Sequence, residues 1–401
     1  MKLLNKYKNI IGAPKVAEII KKARPLRGKY ILHVNATYYG GGVAQILDRL
    51  VVLMNDIGIN ACWSILKGNE PFFEITKTFH NGTQGEKIKL TNKIKKTYED
   101  LCERNSVFMN FNNLDAVIAH DPQVLPLINY EKQKKVSWIW RCHTDITNPN
   151  KELWKYLKTF IRKYNHMIVS DKKYLKKDLK IKQSIIMPSI DPLSDKNRDI
   201  SEKEAREELK KLGIKNLKKP IVSQISRYDH FKDPLGVLAA FSLMKKKVDC
   251  QLVLLGNFAT DDPEGDYMYK EVKKKARGMR DVTVLANIGT PLSVNALQKM
   301  SAVVLQKSIK EGFALTVAEA LWKRTPVVAG NVGGIPNQII DGKNGYLIKS
   351  IKECADRTVE ILKDHNLRKK MGDFGREHVK ENFLITRHLL EYIDLLVKTI
   401  K

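Results

Sequence analysis

The chain has 401 residues, a length that suits two domains of ordinary size better than one. Hydrophobic residues make up 43% of it and charged residues 29%, a balance that is typical of a globular protein and excludes a disordered one. The formal net charge of +27 would suit nucleic acid, an anionic membrane or a phosphorylated ligand. Because the lysines are spread over nearly every predicted helix and form no single basic tract, a nucleic-acid or membrane-surface binding protein is only the distant alternative.

The cysteines and the hydrophobic runs further limit the class of protein and its location in the cell. None of the five cysteines belongs to a Cys-x-x-Cys pair, which indicates neither a disulfide framework nor a zinc site. Residues 1–29 are too rich in charge for a secretory signal peptide, and no apolar run approaches the ~20 residues that span a bilayer. We therefore expect a cytoplasmic protein with no membrane partner.

The first half of the chain alternates predicted strands and helices. After an amphipathic N-terminal segment, a strand at 30–36 is followed by a helix at 43–57. Further strands are predicted at 61–66, 116–119, 136–141, 167–170 and 185–187, with helical stretches between them. Asp191-Pro192 and the polar residues after it then interrupt the pattern.

A second series of the same kind follows the interruption. It starts with a helix at 201–212, where Ser201 and Glu204 have the spacing of a capping box. Strands are predicted at 221–224, 251–255, 282–284, 302–305, 326–329 and 345–348, and residues 351–401 are almost all helical. Strands separated by helices form parallel sheets covered on both faces. We therefore expect an α/β fold of two doubly wound domains with a cleft between them.

Two glutamates flank the predicted start of a helix in the second half. Glu311 comes before the rise in helix propensity at Ala314, and Glu319 falls in the second turn. The amides of Phe313, Ala314 and Leu315 would then be free first-turn donors, which suit a phosphate. Carboxylates on either side of that phosphate could hold sugar and ribose hydroxyls, although two surface glutamates on a solvated helix are an equal alternative for the pair alone.

Two other loops follow predicted strands and carry candidate phosphate contacts. Gly40, Gly41 and Gly42 open the first long helix, where consecutive glycines let a ligand approach the backbone closely. Their spacing matches neither the dinucleotide fingerprint nor a P-loop. Arg227 and Lys232 follow the first strand of the second half, where two cations could clamp a diphosphate.

Histidine and aspartate pairs end two strands of the first half. One pair is His143 and Asp145, and the other is His120 and Asp121. His143 could donate to or accept from a sugar hydroxyl, and Asp145 could orient an acceptor hydroxyl. No metalloprotease motif, nucleophile elbow or cluster of metal ligands is present, and the turn at 261–263 does not resemble an Asp-x-Asp metal site.

Together, the segment from Glu311 to Glu319, the pair of Arg227 and Lys232, and the glycine run resemble the retaining glycosyltransferases of the GT-B fold, family 4. The resemblance covers nearly the whole chain. It is sharpest toward the trehalose glycosyltransferring synthases, through the segments 33–44, 79–81, 120–123, 140–145 and 186–188. It implies an acceptor-side Rossmann-like domain at 1–190, a nucleotide-sugar-binding domain at 191–382, and a final helix at 383–401 that packs back on the first domain.

The resemblance also implies a role for each matching residue. Arg227 and Lys232 correspond to the cations that neutralise the donor diphosphate, and Glu311 to the glutamate that binds the donor sugar. His143 corresponds to the histidine near the transferred sugar, so these four are the expected catalytic residues. Glu319 corresponds to the glutamate that binds the ribose. The other expected donor contacts are Gly41, Gly42, Asn287, Ile288, Gly312, Phe313, Ala314 and Leu315. The expected acceptor contacts are Gln45 and Asp145, and the role of Asp145 is inferred from its own position after a strand and not from the resemblance.

The reaction implied is reversible transfer of glucose, with retention, from a nucleoside-diphosphate glucose to free glucose, giving α,α-trehalose. UDP-, ADP- or GDP-glucose would be the substrate, no cofactor would be tightly bound, and Mg²⁺ is left open as a stimulating ion that no motif coordinates. The partners would be these small molecules, with no nucleic acid, and a homodimer is left open. A retaining trehalose phosphorylase is the alternative within the family.

Overall fold

The structure is a computed structural model that describes residues 1–38, 41–109, 111–130, 135–214, 216–257 and 264–400. Gly40 of the glycine run and the turn at 261–263 lie outside these ranges. The chain divides into two compact units. Unit 1 comprises Met1–Pro188 together with Ile385–Lys401, and unit 2 comprises Ser189–Leu384.

The described residues form twelve strands and fifteen α-helices. The strands are β1 (Tyr30–Asn35), β2 (Asn60–Ile65), β3 (Ala116–His120), β4 (Ser137–Arg141), β5 (His166–Val169), β6 (Lys182–Ile185), β7 (Ile221–Ile225), β8 (Gln251–Gly256), β9 (Val282–Ala286), β10 (Ser301–Gln306), β11 (Val327–Gly330) and β12 (Gly345–Ile348). The helices are α1 (Lys2–Asn5), α2 (Lys8–Ile11), α3 (Ala13–Ala23), α4 (Gly42–Asp56), α5 (Glu70–Thr83), α6 (Asn92–Phe108), α7 (Lys151–Ile161), α8 (Glu202–Lys211), α9 (Pro234–Lys245), α10 (Glu264–Ala276), α11 (Pro291–Met300), α12 (Leu315–Trp322), α13 (Ile351–Lys363), α14 (His365–Asn382) and α15 (Ile385–Thr399).

Each unit is built on one six-stranded sheet whose neighbouring strands are all parallel. The strand order is β2-β1-β3-β4-β5-β6 in unit 1 and β12-β11-β10-β7-β8-β9 in unit 2. The direction of winding reverses between β1 and β3 in the first sheet and between β7 and β10 in the second. Ligands of open α/β sheets bind at the carboxyl ends of strands at such reversal points. The predicted fold class, two doubly wound Rossmann-like domains, is confirmed.

Buried strands and capped helices explain why the sequence patterns predict most of these elements. All residues of β3 and of β11 are buried, and apart from His120 at the end of β3 none of them is polar, so both strands are recognised as apolar runs. Ser201 accepts a hydrogen bond from the amide of Glu204, 3.1 Å away, and caps α8 as its spacing predicts.

One predicted strand is displaced. The sequence predicts a strand at 185–187, whereas β6 spans Lys182–Ile185 and pairs only with β5 at the edge of the sheet. Its residues are exposed or half-buried because an edge strand is covered incompletely. A search for apolar runs therefore does not find β6, because most of its residues are polar.

The C-terminal segment returns to the first unit. Helix α15 packs beside α3 and α4, and Lys22 Nζ lies 3.0 Å from Asp394 Oδ2. Arg387 Nη2 donates to the carbonyl oxygens of Met187 at 2.8 Å and Pro188 at 3.0 Å. Unit 1 is thus assembled from two distant parts of the chain. Across the residues that the structure describes, no helix combines the length and the apolar character needed to cross a membrane.

Candidate active site

Two predicted site residues of unit 2 meet at the reversal point of its sheet. Lys232 follows β7 and Glu311 follows β10, the strand that pairs with β7. Their side chains form an ion pair and are only 16% and 12% exposed. The same Glu311 oxygen lies 3.3 Å from Ser308 Oγ and 3.5 Å from Gln306 Nε2. Three neighbours thus fix the orientation of the Glu311 carboxylate, which lies at the carboxyl edge of the sheet, where ligands bind.

Arg227 lies on the same loop as Lys232 but beside a different carboxylate. Its Nη2 atom is 3.7 Å from Asp229 Oδ2. Asp229 in turn caps the short turn that carries Lys232, by accepting from the amide of Phe231 at 2.7 Å. Gln224 Nε2 donates to the carbonyl of Lys232 at 2.8 Å. Hydrogen bonds therefore fix the loop between the two cations and at Lys232 itself.

The segment between the two glutamates turns sharply before its helix. Ala314 has a left-handed backbone (φ +70°), and α12 begins at Leu315, one residue later than predicted. Phe313 is buried against Phe383, with the ring centroids 5.6 Å apart. Of the three amides predicted as first-turn donors, only that of Leu315 belongs to the first turn, because Ala314 is the N-cap and Phe313 precedes it. The helix begins at the reversal point, and helix N-termini are sites where anions commonly bind.

A glycine on a neighbouring loop lets this segment pack closely. A Cβ atom on Gly334 would lie 2.6 Å from the Gly312 carbonyl oxygen, closer than real Cβ contacts allow. Gln338 Nε2 also donates to the carbonyls of Phe313 and Ala314. Gly334 and Gln338 therefore pack against the segment 312–315 that carries the predicted donor contacts.

Glu319 lies apart from Glu311, in a buried cluster of its own. It is 1% exposed, its Oε1 is 2.8 Å from Lys196 Nζ, and its Oε2 accepts from Gln298 Nε2 at 3.0 Å. Burial alone would raise the pKa of the Glu319 carboxyl, but the ammonium groups of Lys196 and Lys323 hold it below its ordinary value. The sequence offers no signal for Lys196, because its partner lies more than a hundred residues away.

The remaining predicted donor contacts follow β9. Asn287 has a left-handed backbone (φ +53°), and its amide donates to the carbonyl of Gly256 at 3.1 Å. Ile288 next to it is an exposed apolar side chain. Both lie at the carboxyl edge of the sheet, two strands from the reversal point.

In unit 1, the described part of the glycine run forms the start of α4. Gly41 is the N-cap and Gly42 the first helical residue. A Cβ added to Gly41 would meet no described atom within 4 Å. Gln45 is exposed in the first turn, and its amide donates to the Gly41 carbonyl at 3.2 Å. This helix terminus follows β1, the strand beside the reversal point of the first sheet.

Three histidines from adjacent strands form a hydrogen-bonded chain in unit 1. His33 in β1 has its Nδ1 atom 3.0 Å from His120 Nε2, and His120 Nδ1 is 3.0 Å from His143 Nε2. Consecutive rings stack with centroids 5.3 Å apart. Burial lowers the pKa of His33 to about 3 and those of His120 and His143 well below the ordinary range. The sequence predicts His120 and His143 as strand-end candidates, but neither their hydrogen bond nor the part played by His33.

The two predicted aspartates of unit 1 have different environments. Asp145 Oδ1 accepts from the amide of Thr147 at 2.8 Å, which commits that oxygen to a local turn. Asp121 has a left-handed backbone (φ +62°), and its Oδ1 accepts from the amide of His143 at 2.7 Å. Burial raises the pKa of Asp121 to about 7, against the opposing effects of that hydrogen bond and of Arg141. Strain and a shifted pKa together mark Asp121 as a candidate site residue.

In the part of the chain that the structure describes, no group of three or more His, Cys, Asp or Glu side chains is arranged to hold a metal ion.

Comparison with known families accounts for most of the chain. Residues 33–176 match the family described as trehalose synthase, N-terminal domain. Residues 205–378 match the family described as glycosyl transferases group 1.

Individual relatives give the same picture. The trehalose synthases of Thermococcus litoralis and Rubrobacter xylanophilus are 42% and 41% identical, over 98% and 99% of this chain and 97% of each relative. A trehalose phosphorylase of Pleurotus pulmonarius is 26% identical over 94% of this chain but only 58% of its own length.

Solved structures share the fold at low sequence identity. A sucrose-phosphate synthase from Thermosynechococcus elongatus matches with a TM-score of 0.73 at 16% identity, over 92% of this chain and 98% of that one. A protein from Anabaena, solved in complex with UDP and glucose, matches with a TM-score of 0.68 at 14% identity, over 92% and 100%. The fold is that of the GT-B glycosyltransferases, and the chain belongs to the trehalose synthase family of these enzymes.

Proposed function

We propose that this glycosyltransferase moves glucose, with retention of configuration, from a nucleoside-diphosphate glucose to free glucose and so forms α,α-trehalose reversibly. Membership of the trehalose synthase family supports the product. The observation that supports the donor side is the ion pair of Lys232 and Glu311 at one reversal point, because a diphosphate would need a cation there and sugar hydroxyls a carboxylate.

Unit 2 is the proposed donor-binding unit. Lys232 and Arg227 would oppose the charge that builds on the departing diphosphate, together with the first-turn amides of α12. Glu311 would hold hydroxyls of the transferred glucose, and the ion pair keeps both side chains in place until the donor arrives. Glu319 would bind the ribose, with Asn287 and Ile288 near the nucleobase.

Unit 1 is the proposed acceptor-binding unit, with Asp145 and Gln45 as acceptor contacts and His143 near the transferred sugar. The glucose C1–O bond to the diphosphate would break as a new bond from C1 to the acceptor oxygen forms on the same face. The acceptor's proton would pass to the leaving phosphate oxygen. Glu311 is engaged by Lys232 and is not assigned as a nucleophile in this scheme.

A retaining trehalose phosphorylase is the alternative, since one relative bears that name at lower identity. In that reaction inorganic phosphate would take the place of the nucleotide and α-glucose 1-phosphate would be formed. A ribose contact by Glu319 would favour a nucleotide, because inorganic phosphate has no ribose, whereas the burial of Glu319 against Lys196 by itself supports neither donor.

One assay separates these reactions. Glucose is incubated with UDP-, ADP- or GDP-glucose, or with α-glucose 1-phosphate, and the product is identified by proton NMR. We expect α,α-trehalose from at least one nucleotide donor. Trehalose formed only from α-glucose 1-phosphate would favour the phosphorylase, and no trehalose from any donor would overturn the proposal.

A further inference from the structure

The chain of three histidines permits only two arrangements of its protons. A neutral imidazole carries one N–H, and His120 takes part in both hydrogen bonds, so it donates through one ring nitrogen and accepts through the other. If His120 is protonated at Nδ1, then His143 carries its proton at Nδ1 and His33 has a bare Nε2. If His120 is protonated at Nε2, then His143 has a bare Nδ1 and His33 carries its proton at Nε2.

The environment of His33, the buried end of the three-histidine chain, decides between the two arrangements. His33 is fully buried, and its Nε2 has no hydrogen-bond partner among the residues that the structure describes. A buried N–H without an acceptor is rarer and less favourable than a buried acceptor without a donor. Burial also keeps all three rings neutral, as their lowered pKa values indicate. The arrangement with a bare Nε2 on His33 is therefore favoured.

We infer that His33 and His120 act as positioning residues that hold His143 in its Nδ1-protonated tautomer, so that His143 presents a hydrogen-bond donor to the sugar and not a base. The environment of His143, at the other end of the three histidines, fits this role. His143 is half-buried, and its Nδ1 makes no hydrogen bond to any described residue. Its backbone amide donates to Asp121 at 2.7 Å, and its ring stacks on that of His120 with the centroids 5.3 Å apart, so the ring is held beside His120. The chemical partner is an oxygen with a lone pair, such as a hydroxyl of the transferred glucose, and this part rests on the proposed function.

The tautomer is measured directly by NMR on enzyme labelled with ¹⁵N in its histidine rings. Long-range correlations between ring nitrogens and ring C–H protons distinguish Nδ1–H from Nε2–H, and the spectrum of His143→Asn assigns the signals of that ring. We expect the Nδ1–H pattern for His143 and for His120. An Nε2–H pattern for His143 would overturn the inference.

Variants test whether the tautomer matters for turnover. His120→Leu removes the donor to His143 Nε2, and we expect kcat to fall roughly 10- to 100-fold while KM changes little, with a mixture of tautomers at His143. His120→Asn places its amide N–H near the former Nδ1. It should therefore restore much of the kcat and much of the Nδ1–H tautomer of His143. His166→Asn is the matched control, because His166 is buried and bonded to Ser184 but lies outside the chain of three.

The outcomes separate the inference from the proposed function. Trehalose formation by an enzyme whose His143 is protonated at Nε2 would sink the inference alone. An Nδ1-protonated His143 in a protein that makes no trehalose would sink the proposed function and leave the tautomer standing. An unchanged kcat in a folded His120→Leu variant would also count against the positioning role.

Discussion

Lys232 and Glu311 are separated by 79 residues in the chain, yet their side chains form an ion pair at the edge of the second sheet. The pair exists because β7 and β10 are neighbours in the sheet and each strand ends in a loop that carries one partner. Both groups are mostly buried, so water screens their interaction less than it would on an open surface. A diphosphate arriving at this edge would find the cation already oriented.

Removal of that cation is expected to cripple turnover. Lys232→Ala should lower kcat by on the order of 100-fold or more, because charge on the departing diphosphate would lose a stabilising group. Initial rates with each nucleotide donor measure the effect, and circular dichroism checks the fold. Lys203→Ala, an exposed lysine on α8, is the control and should keep the wild-type kcat. Wild-type turnover by a folded Lys232→Ala enzyme would contradict the assigned role.

The buried cluster of Glu319 should be important for stability. Lys196→Met leaves the carboxylate with less compensation and is expected to lower the free energy of unfolding by about 1–3 kcal/mol. Adding Glu319→Leu removes the buried charge as well, so the double variant should regain part of the loss. Urea titrations of both variants measure this. A double variant no more stable than Lys196→Met would show that the ion pair of Lys196 and Glu319 does not contribute to the free energy of unfolding.

The same glutamate should affect donor binding. Glu319→Ala is expected to raise the KM for the nucleotide sugar more than it lowers kcat, because a ribose contact lies far from the reacting bond. Steady-state kinetics at varied donor concentration give both constants. An unchanged donor KM would remove Glu319 from the ribose site and leave it a structural residue.

Stability around Asp121 should depend on pH with a defined sign. Its pKa is raised to about 7 in the folded protein, against roughly 3.9 in an unfolded chain. Between these values the folded state holds a proton that the unfolded state has released, so this contribution is present in acid and is lost as the pH rises through the folded pKa. Asp121→Asn lacks the titration. Relative to the wild type, it should gain about 1–3 kcal/mol in free energy of unfolding between pH 5 and pH 8.

Denaturant titrations of the wild type and Asp121→Asn at the two pH values measure that gain. Asparagine keeps an oxygen that can accept from the His143 amide, so the local hydrogen bond is preserved. A difference between the two proteins that stays constant with pH would show that Asp121 does not titrate in this range.

The turn before α12 offers a test of backbone strain. Ala314 adopts φ +70°, and a left-handed residue with a side chain is less favourable by roughly 1–2 kcal/mol than glycine in the same conformation, offset in part by the greater freedom of glycine in the unfolded chain. Ala314→Gly should therefore stabilise the protein by up to about 1 kcal/mol. Ala318→Gly, inside α12, is the matched comparison and should destabilise it by at least about 1 kcal/mol. Thermal unfolding of both variants would reveal any departure from these opposite signs.

Local patterns in the sequence were sufficient to predict the order and type of most elements. Strands such as β3 and β11 are recognised as largely apolar runs because both faces of a parallel sheet are covered. The displaced strand β6 was missed because an edge strand keeps polar residues. The start of α12 was predicted one residue early, since helix propensity does not reveal that Ala314 is left-handed.

The sequence by itself determined the order of the strands and helices, because their alternation is a local property. It placed Lys232, Glu311 and His143 in loops at the carboxyl edges of two sheets. Tertiary structure alone decided their partners: Glu311 with Lys232, Glu319 with Lys196, and His143 with His120 and His33. These contacts depend on strand order and on packing between segments far apart in the chain, which no short-range pattern encodes. The burial of Glu319 beside Lys196 is one such contact that no local pattern predicts.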